Sequence, residues 1–228
     1  MPKELPTMMT TAMTTPARRS GDGLTRDNAM LLLVDHQVGL LWEPEAAELR
    51  RTVEGLARAA RILGVPTVLA AAAPDQRGPI VPELTAAVRD APVIERTTGN
   101  AWDDSRVRLA VQATRRDRLI IAGVTTDACV APAALASAAA GYAVYVAADA
   151  SAHFDQRAAA AAMVRMRRAG VVVTSAATML LDMVMGAAAP NAVDVVTLVL
   201  RSPLPAPVIG IPSVASLSGN PPTRLRVG

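Results

Sequence analysis

The sequence predicts an α/β fold, a three-layer α/β/α sandwich around a six-stranded, mainly parallel sheet. Three observations carry this reading. Short apolar runs alternate with helix-length amphipathic stretches, the sign of successive βαβ units. The chain has 228 residues, enough for one well-buried core and short for two full domains. Apolar residues make up 51% of it but aromatics only 2%, so Ala, Val and Leu must fill the interior and let helices lie close on a sheet.

The elements follow in order. Ala29–Val34 (AMLLLV) is a continuous apolar run of strand length that ends at Asp35. The next stretch, Ala46–Leu63, places Leu49, Val53, Leu56, Ala60 and Leu63 at helical spacing. Gly64 stops that helix, and Pro66 opens the strand PTVLAAA. A loop with Pro74, Gly78 and Pro79 leads to a helix at Pro82–Val88 and a short strand at Pro92–Glu95. Asp104 or Ser105 caps a helix running to about Thr114, and Leu119–Val124 is another buried strand. Thr126 or Asp127 caps the helix Ala128–Ala140, which ends at Gly141. Tyr142–Ala147 is a strand, Gln156–Ala169 a helix, Val171–Thr174 the last strand and Ala176–Met185 a final helix. Right-handed crossovers between parallel strands make this a doubly wound sheet.

Three segments result: a disordered leader over 1–27, the domain over 28–186, and a Pro-rich C-terminal arm or tail over 187–228. In the last segment the apolar run Val193–Leu200 reads as an added edge strand, an arm packing on another subunit, or part of a disordered tail. The leader lacks the continuous apolar stretch of a signal peptide, and Met8, Met9 and Met13 are alternative starts.

Composition also excludes function classes. A net charge of +3 and a pI near 9.7 suggest nucleic acid, but Lys3 is the only lysine and the arginines are scattered. Pairs such as Arg50–Arg51, Arg115–Arg116 and Arg167–Arg168 fall within or just after helical stretches, where they read as solvated faces. No nucleic-acid motif accompanies them, so no nucleic-acid partner is expected. One cysteine excludes an intramolecular disulfide and a Cys-based zinc cluster, which suits a reducing, cytoplasmic location. The stretch Ala128–Ala148 has no charge and could span a bilayer by length, but its alanines, Pro132, Ser137 and Gly141 read better as helix, turn and strand. No membrane association is expected.

In open parallel sheets ligands bind beyond the carboxyl ends of the strands, which makes Asp35, Arg96, the 124–129 turn and Asp149 the first candidates. Cys129, in the first turn of a helix, would face unpaired N–H groups and the positive end of the helix dipole. That setting lowers a thiol pKa, and the same N–H groups can hold an oxyanion. Asp35 could accept the thiol proton and return it to a leaving group. A single cysteine in an Ala-rich helix also fits plain packing. Spacing alone leaves both open.

The segments LLLVDHQVGLL (31–41), RTTGNAWDD (96–104) and LIIAGVTTDACVAPAALASAAAGYAVYVAADAS (119–151), with MVRMRRAGVVVTS after them, resemble the isochorismatase-like cysteine hydrolase family. The similarity runs through about residues 28–182, and the pairing of V-D-x-Q with G-V-x-T-D-x-C-V is its specific part. Within the family the chain is most similar to a bacterial branch of unassigned substrate that carries D-H-Q and N-A-W.

This resemblance implies the same sandwich fold and a site of Asp, Lys and Cys. Asp35 matches the aspartate and Cys129 the nucleophile. Val124–Thr125 matches a non-proline cis peptide that would aim the N–H groups of Thr125 and Cys129 as an oxyanion hole. The family lysine should lie near residues 95–96, where this chain has Glu95 and Arg96. Arg96 would supply the charge but cannot carry a proton, and a salt-bridging surface position is its alternative reading. Gln37, Trp42, Asn100 and Trp102 match pocket-forming positions, although a subunit interface also suits the tryptophans. His36 is structural or substrate-facing, and Asp149 a cap or loop residue.

Nicotinamidases of the family hold a metal through an Asp-x-His…His cluster after the second strand. The stretch 70–84 here has Asp75 and no histidine, so no metal is expected. The loop DHQVGLLW lacks the glycine pattern of a nucleotide cradle, so no cofactor is expected either. The resemblance therefore implies a metal-free hydrolase of a small amide or related carbonyl compound, forming a thioester on Cys129. A catalytically silent scaffold and an isochorismatase-type vinyl-ether hydrolase are the alternatives. The family forms homo-oligomers, which is the partner expected besides a small-molecule substrate.

Overall fold

Strand β1 (Ala29–Val34) shows how the sequence builds the sheet. Alternate residues of a strand point to opposite faces. In the computed structural model, which describes residues 23–42, 46–185 and 191–201, all six residues of β1 are fully buried. Ala29, Leu31 and Leu33 join one apolar cluster, and Met30, Leu32 and Val34 join a second on the other face. Burying each of these leucines contributes about 1.5–3 kcal/mol, which is why the run carries no polar residue.

The other strands are β2 (Thr67–Ala72), β3 (Val93–Arg96), β4 (Arg118–Gly123), β5 (Ala143–Ala147) and β6 (Val172–Thr174). Their order across the sheet is β3-β2-β1-β4-β5-β6, and every pairing is parallel. The helices are α1 (Ala47–Leu63), α2 (Pro74–Arg77), α3 (Pro82–Ala87), α4 (Ser105–Ala113), α5 (Ala131–Ala139), α6 (Gln156–Arg168), α7 (Ala176–Met185) and α8 (Ala192–Arg201). Helices α1, α3, α7 and α8 cover the face of the first cluster, and α4, α5 and α6 that of the second. The winding reverses between β1 and β4, which leaves a crevice at their carboxyl ends. Gly123 closes β4 there: a Cβ on it would lie 2.6 Å from the Val34 carbonyl oxygen, so only glycine lets the two strands meet this closely.

Three expectations shift. Leu24 is buried and Thr25 and Asn28 cap one another, so the ordered chain includes residues 23–27, which the sequence alone assigns to the leader. The rest of the leader lies outside the described residues. The run Val193–Leu200 is neither edge strand nor tail but most of helix α8, which packs on α1 and α7. Ala192, Val195, Val196 and Leu198 form its inward stripe, hidden in the sequence by the exposed Val193. The Pro-rich segment beyond residue 201 is outside the described residues. Finally, Thr125 rather than Thr126 or Asp127 caps the turn after β4, its hydroxyl accepting from the Ala128 N–H at 3.3 Å.

The uncharged stretch 128–148 resolves into a turn, α5, a second turn at Gly141 and β5. Among the described residues no helix is long and apolar enough to cross a membrane.

Candidate active site

Asp35 is the first residue beyond β1, and its φ of 57° lies in the left-handed region. Asp tolerates that region better than most residues, and such backbone is held only where the surroundings over-determine it. Here the Asp35 N–H donates to the Ala70 carbonyl at 2.8 Å, and the side chain is fully buried. Oδ1 accepts from the Ala72 N–H at 2.8 Å, and Oδ2 from Arg96 Nη2 at 2.6 Å.

Arg96 is the last residue of β3, in register with Ala72, and is 1% exposed. Its Nη1 donates to the Thr98 and Gly99 carbonyls, the latter at 3.0 Å. A planar guanidinium fixed by three acceptors is a rigid counter-charge. The surface salt-bridge reading of Arg96 is therefore overturned: the ion pair lies wholly inside the protein.

Cys129 lies in a single π-helical turn, Thr126–Val130, that joins β4 to α5. Its thiol hydrogen-bonds the Asp35 carboxylate, which brings together two residues 94 positions apart. The Val124–Thr125 peptide is cis. The Thr125 N–H faces the sulfur, whereas the Cys129 N–H donates to the Thr125 carbonyl at 2.9 Å. Of the two expected oxyanion donors, one is aimed at the sulfur and the other is already engaged.

The electrostatics correct the sequence reading of the thiol. Burial and the negative charge of Asp35 push the Cys129 pKa up to about 11, against the smaller favourable effects of the Thr125 N–H and Arg96. The dipole of one short turn does not offset an adjacent carboxylate. Burial likewise raises the Asp35 pKa, opposed by Arg96, the thiol, the Ala72 N–H and Arg77. The resting thiol is thus neutral and donates to Asp35.

A cavity of about 340 Å³ opens on Cys129, lined also by Arg77, Thr125, Asp127 and Asp155, with Leu40 and Phe154 on one wall, and Asp35 lies buried behind the thiol. Sequence reasoning misses Arg77, whose Nη1 lies 3.9 Å from Asp35 Oδ2. The strand-end rule applied to β2 would find it, but in sequence that loop draws attention only for metal ligands. The carbonyl of Arg77 accepts from the Gly39 N–H at 2.8 Å, and a Cβ on Gly39 would lie 2.5 Å from that oxygen.

Three of the four expected pocket residues, Gln37, Asn100 and Trp102, are placed elsewhere. Gln37 is fully buried and clamps the loop, its Nε2 donating to the Gly78 carbonyl at 2.7 Å. Asn100 caps a 3-10 turn through the Trp102 N–H, and Trp102 packs in the core edge-on to Tyr142 with centroids 5.3 Å apart. Trp42 lines a neighbouring cavity. His36 is structural: fully buried, it donates from Nε2 to the Ala150 carbonyl at 3.0 Å, and burial lowers its pKa to about 4. Asp149 caps α7 by accepting the Ala176 N–H at 2.7 Å. Among the described residues, no group of three or more His, Cys, Asp or Glu side chains is placed to hold a metal ion.

Known proteins resemble this chain in sequence and fold. "Probable hydrolase YcaC" of Escherichia coli K12 is 40% identical over 152 residues, 64% of this chain and 73% of the relative. YcaC from Pseudomonas aeruginosa, solved with hexane-2,5-diol and covalent acrylamide, is 38% identical with a TM-score of 0.67, covering 70% of this chain and 82% of that one. The E. coli YcaC crystal structure, described as an octameric hydrolase of unknown specificity, matches at the same identity and TM-score over 70% and 81%. The Staphylococcus aureus nicotinamidase shares the fold, with a TM-score of 0.58 at 16% identity, over 64% of this chain and 99% of that one. The isochorismatase domain model matches residues 29–178, the span from β1 into α7 that holds Asp35, Arg96 and Cys129. The chain therefore belongs to the isochorismatase family and is an isochorismatase-like hydrolase.

Proposed function

We propose that the protein is a cysteine hydrolase of small amides or related carbonyl compounds that works through a thioester. The observation that carries this is the hydrogen bond from the only thiol in the chain to the buried Asp35 carboxylate, on the wall of a cavity. That a relative was solved with covalent acrylamide, an electrophile that thiols add to, supports a reactive cysteine in the fold.

Because the resting thiol is neutral, its proton passes to Asp35 as sulfur attacks the carbonyl carbon and the C–S bond forms. The raised pKa of Asp35 makes it the stronger base for this transfer. Charge developing on the carbonyl oxygen meets the Thr125 N–H, with the Cys129 N–H sharing its bond to the Thr125 carbonyl. The intermediate collapses, the C–N bond breaks, and Asp35 returns the proton to the leaving amine. Water then attacks the thioester while Asp35 takes its proton; the acid leaves and the sulfur is reprotonated. Arg96 holds Asp35 ionised between steps and moves no proton.

Replacing Cys129 by Ala abolishes turnover, and in the wild type an activated ester gives an intact-mass increase of one acyl group. Full activity in Cys129→Ala overturns the mechanism, and isochorismate hydrolysis that survives it supports vinyl-ether chemistry instead. Arg96, standing where the family lysine is expected, favours a second reading, a silent scaffold. Absence of both turnover and acyl adduct across amides and esters would establish that one. The octameric relative supports a homo-oligomer, which light scattering tests.

A further inference from the structure

Next to the cavity at Cys129 lies a second one of about 360 Å³, and the two share Leu40 and Phe154 as a common wall. Both are within the size range of small-molecule sites. Their chemistry differs sharply. The first carries Arg77, Asp127 and Asp155; the second is lined by Leu40, Leu41, Trp42, Leu49, Ala152 and Phe154, with His153 its one ionisable side chain among the described residues. Two of the chain's five aromatic side chains border this annex, and both are unusually exposed, Trp42 at 71% and Phe154 at 75%. Trp42 is also held in place, its indole N–H donating to the Gly39 carbonyl at 2.9 Å, so its own donor is satisfied. What the annex offers a ligand is apolar area.

We propose that the annex is the subsite for an apolar substituent of the substrate, which makes the substrate class a carbonyl compound with an aliphatic or aryl group of several carbons. The catalytic half of this inference rests on Cys129 being the nucleophile; the binding half rests on the two adjacent cavities alone. A substituent crossing the Leu40–Phe154 wall would cover the exposed rings while the polar carbonyl end stays among Arg77, Asp127 and Asp155. A substrate polar throughout would leave those rings wet and gain nothing from them. A second copy of the chain is the competing occupant, but concavity and adjacency to the cavity at Cys129 favour a small molecule.

The test uses Cys129→Ala protein, in which binding is read without chemistry. Acetamide, butyramide and hexanamide are titrated calorimetrically, and affinity rises about three- to fourfold per added methylene. Adding Phe154→Ala or Trp42→Ala flattens that slope, and in the wild type kcat/KM follows the same slope. Equal affinity across the series overturns the inference, as does a slope that both variants leave intact. A change in oligomer size by light scattering in those variants, with the slope unaffected, assigns the face to a subunit contact and also overturns it. If the slope and its loss are seen but no amide is turned over, the apolar subsite stands and the amidase reading falls.

Discussion

Asp35 and Asp149 begin alike and end differently. Each follows a buried parallel strand, β1 or β5, each is buried, and burial raises the pKa of both. Around Asp149 the only opposing influences are backbone N–H groups, those of Ala176, Asp149 itself and Ala150. Around Asp35 they are a guanidinium, a thiol, one backbone N–H and a second arginine at the cavity edge. Topology explains the difference. At β1 and β4 the connections run to opposite faces and leave the strand ends open. At β5 the chain returns over the strand end, and α7 places its N-terminus directly on the carboxylate. Burial of an acid is therefore not the mark of a site; what stands beside it, and whether substrate can reach it, decides.

The sharpest way to break this contrast is to neutralise each carboxylate. Asp35→Asn removes the proton acceptor and lowers kcat by about 10²–10⁴-fold. It also leaves the Arg96 charge buried without its partner, a loss of about 3–5 kcal/mol in urea unfolding. Asp149→Asn leaves kcat unchanged. Equal losses of kcat in the two variants would sink the distinction.

His36 ties the two regions together, since its Nε2–H bonds the carbonyl of Ala150, the neighbour of Asp149. Its pKa is about 4 in the folded state against 6.5 unfolded, so between those values the unfolded chain binds more protons. Stability supplied by neutral His36 is complete above pH 6.5 and is lost as pH falls to about 4, by about 3 kcal/mol in all. In His36→Gln, whose amide can still donate to Ala150, the fall over this window is smaller by that amount. Identical pH profiles for the two proteins would show that His36 is not buried neutral.

The thiol sharpens the contrast further. Iodoacetamide labelling of the wild type accelerates with pH up to about 11. In Asp35→Asn, with the neighbouring negative charge gone but the burial unchanged, the inflection moves only part of the way toward the ordinary thiol range, and labelling at pH 8 rises by about tenfold. Asp149→Asn labels like the wild type. A wild-type inflection near 8.5 would mean that the thiol is not held against Asp35.

The range of each effect decides how much of this is legible in the sequence. Asp35 and Cys129 can be read because strand length and turn position are local, and the parallel topology then brings them to one edge. The sequence places β3 one residue early, at 92–95, yet Arg96 still falls at its end. The raised thiol pKa is not legible, because it comes from burial in the folded chain and from a carboxylate distant in sequence, and only the helix terminus is local. Gln37, Asn100 and Trp102 are misread because a polar or aromatic residue near a strand end also serves as a clamp, a cap or core, and packing alone decides which. Helix α8 is hidden by its β-branched valines, whose strand preference is overridden once Val195 is buried against α1 and α7.

The smallest expected effect concerns Asp149 itself. Its folded pKa is raised above the unfolded value, so the folded state keeps the proton to higher pH and stability declines as pH rises through the folded pKa. Asp149→Asn keeps an oxygen to accept the Ala176 N–H but cannot ionise, so this decline disappears in the variant and neutral-pH stability is slightly higher than in the wild type. Asp149→Ala removes the cap as well and costs about 1 kcal/mol at low pH, where the wild-type residue is protonated and still accepts that bond. Urea unfolding of the three proteins between pH 4 and 8 separates the two contributions. A wild type whose stability rose with pH relative to Asp149→Asn would mean that the backbone N–H groups around Asp149 outweigh its burial, making it electrostatically the more comfortable of the two acids rather than the less.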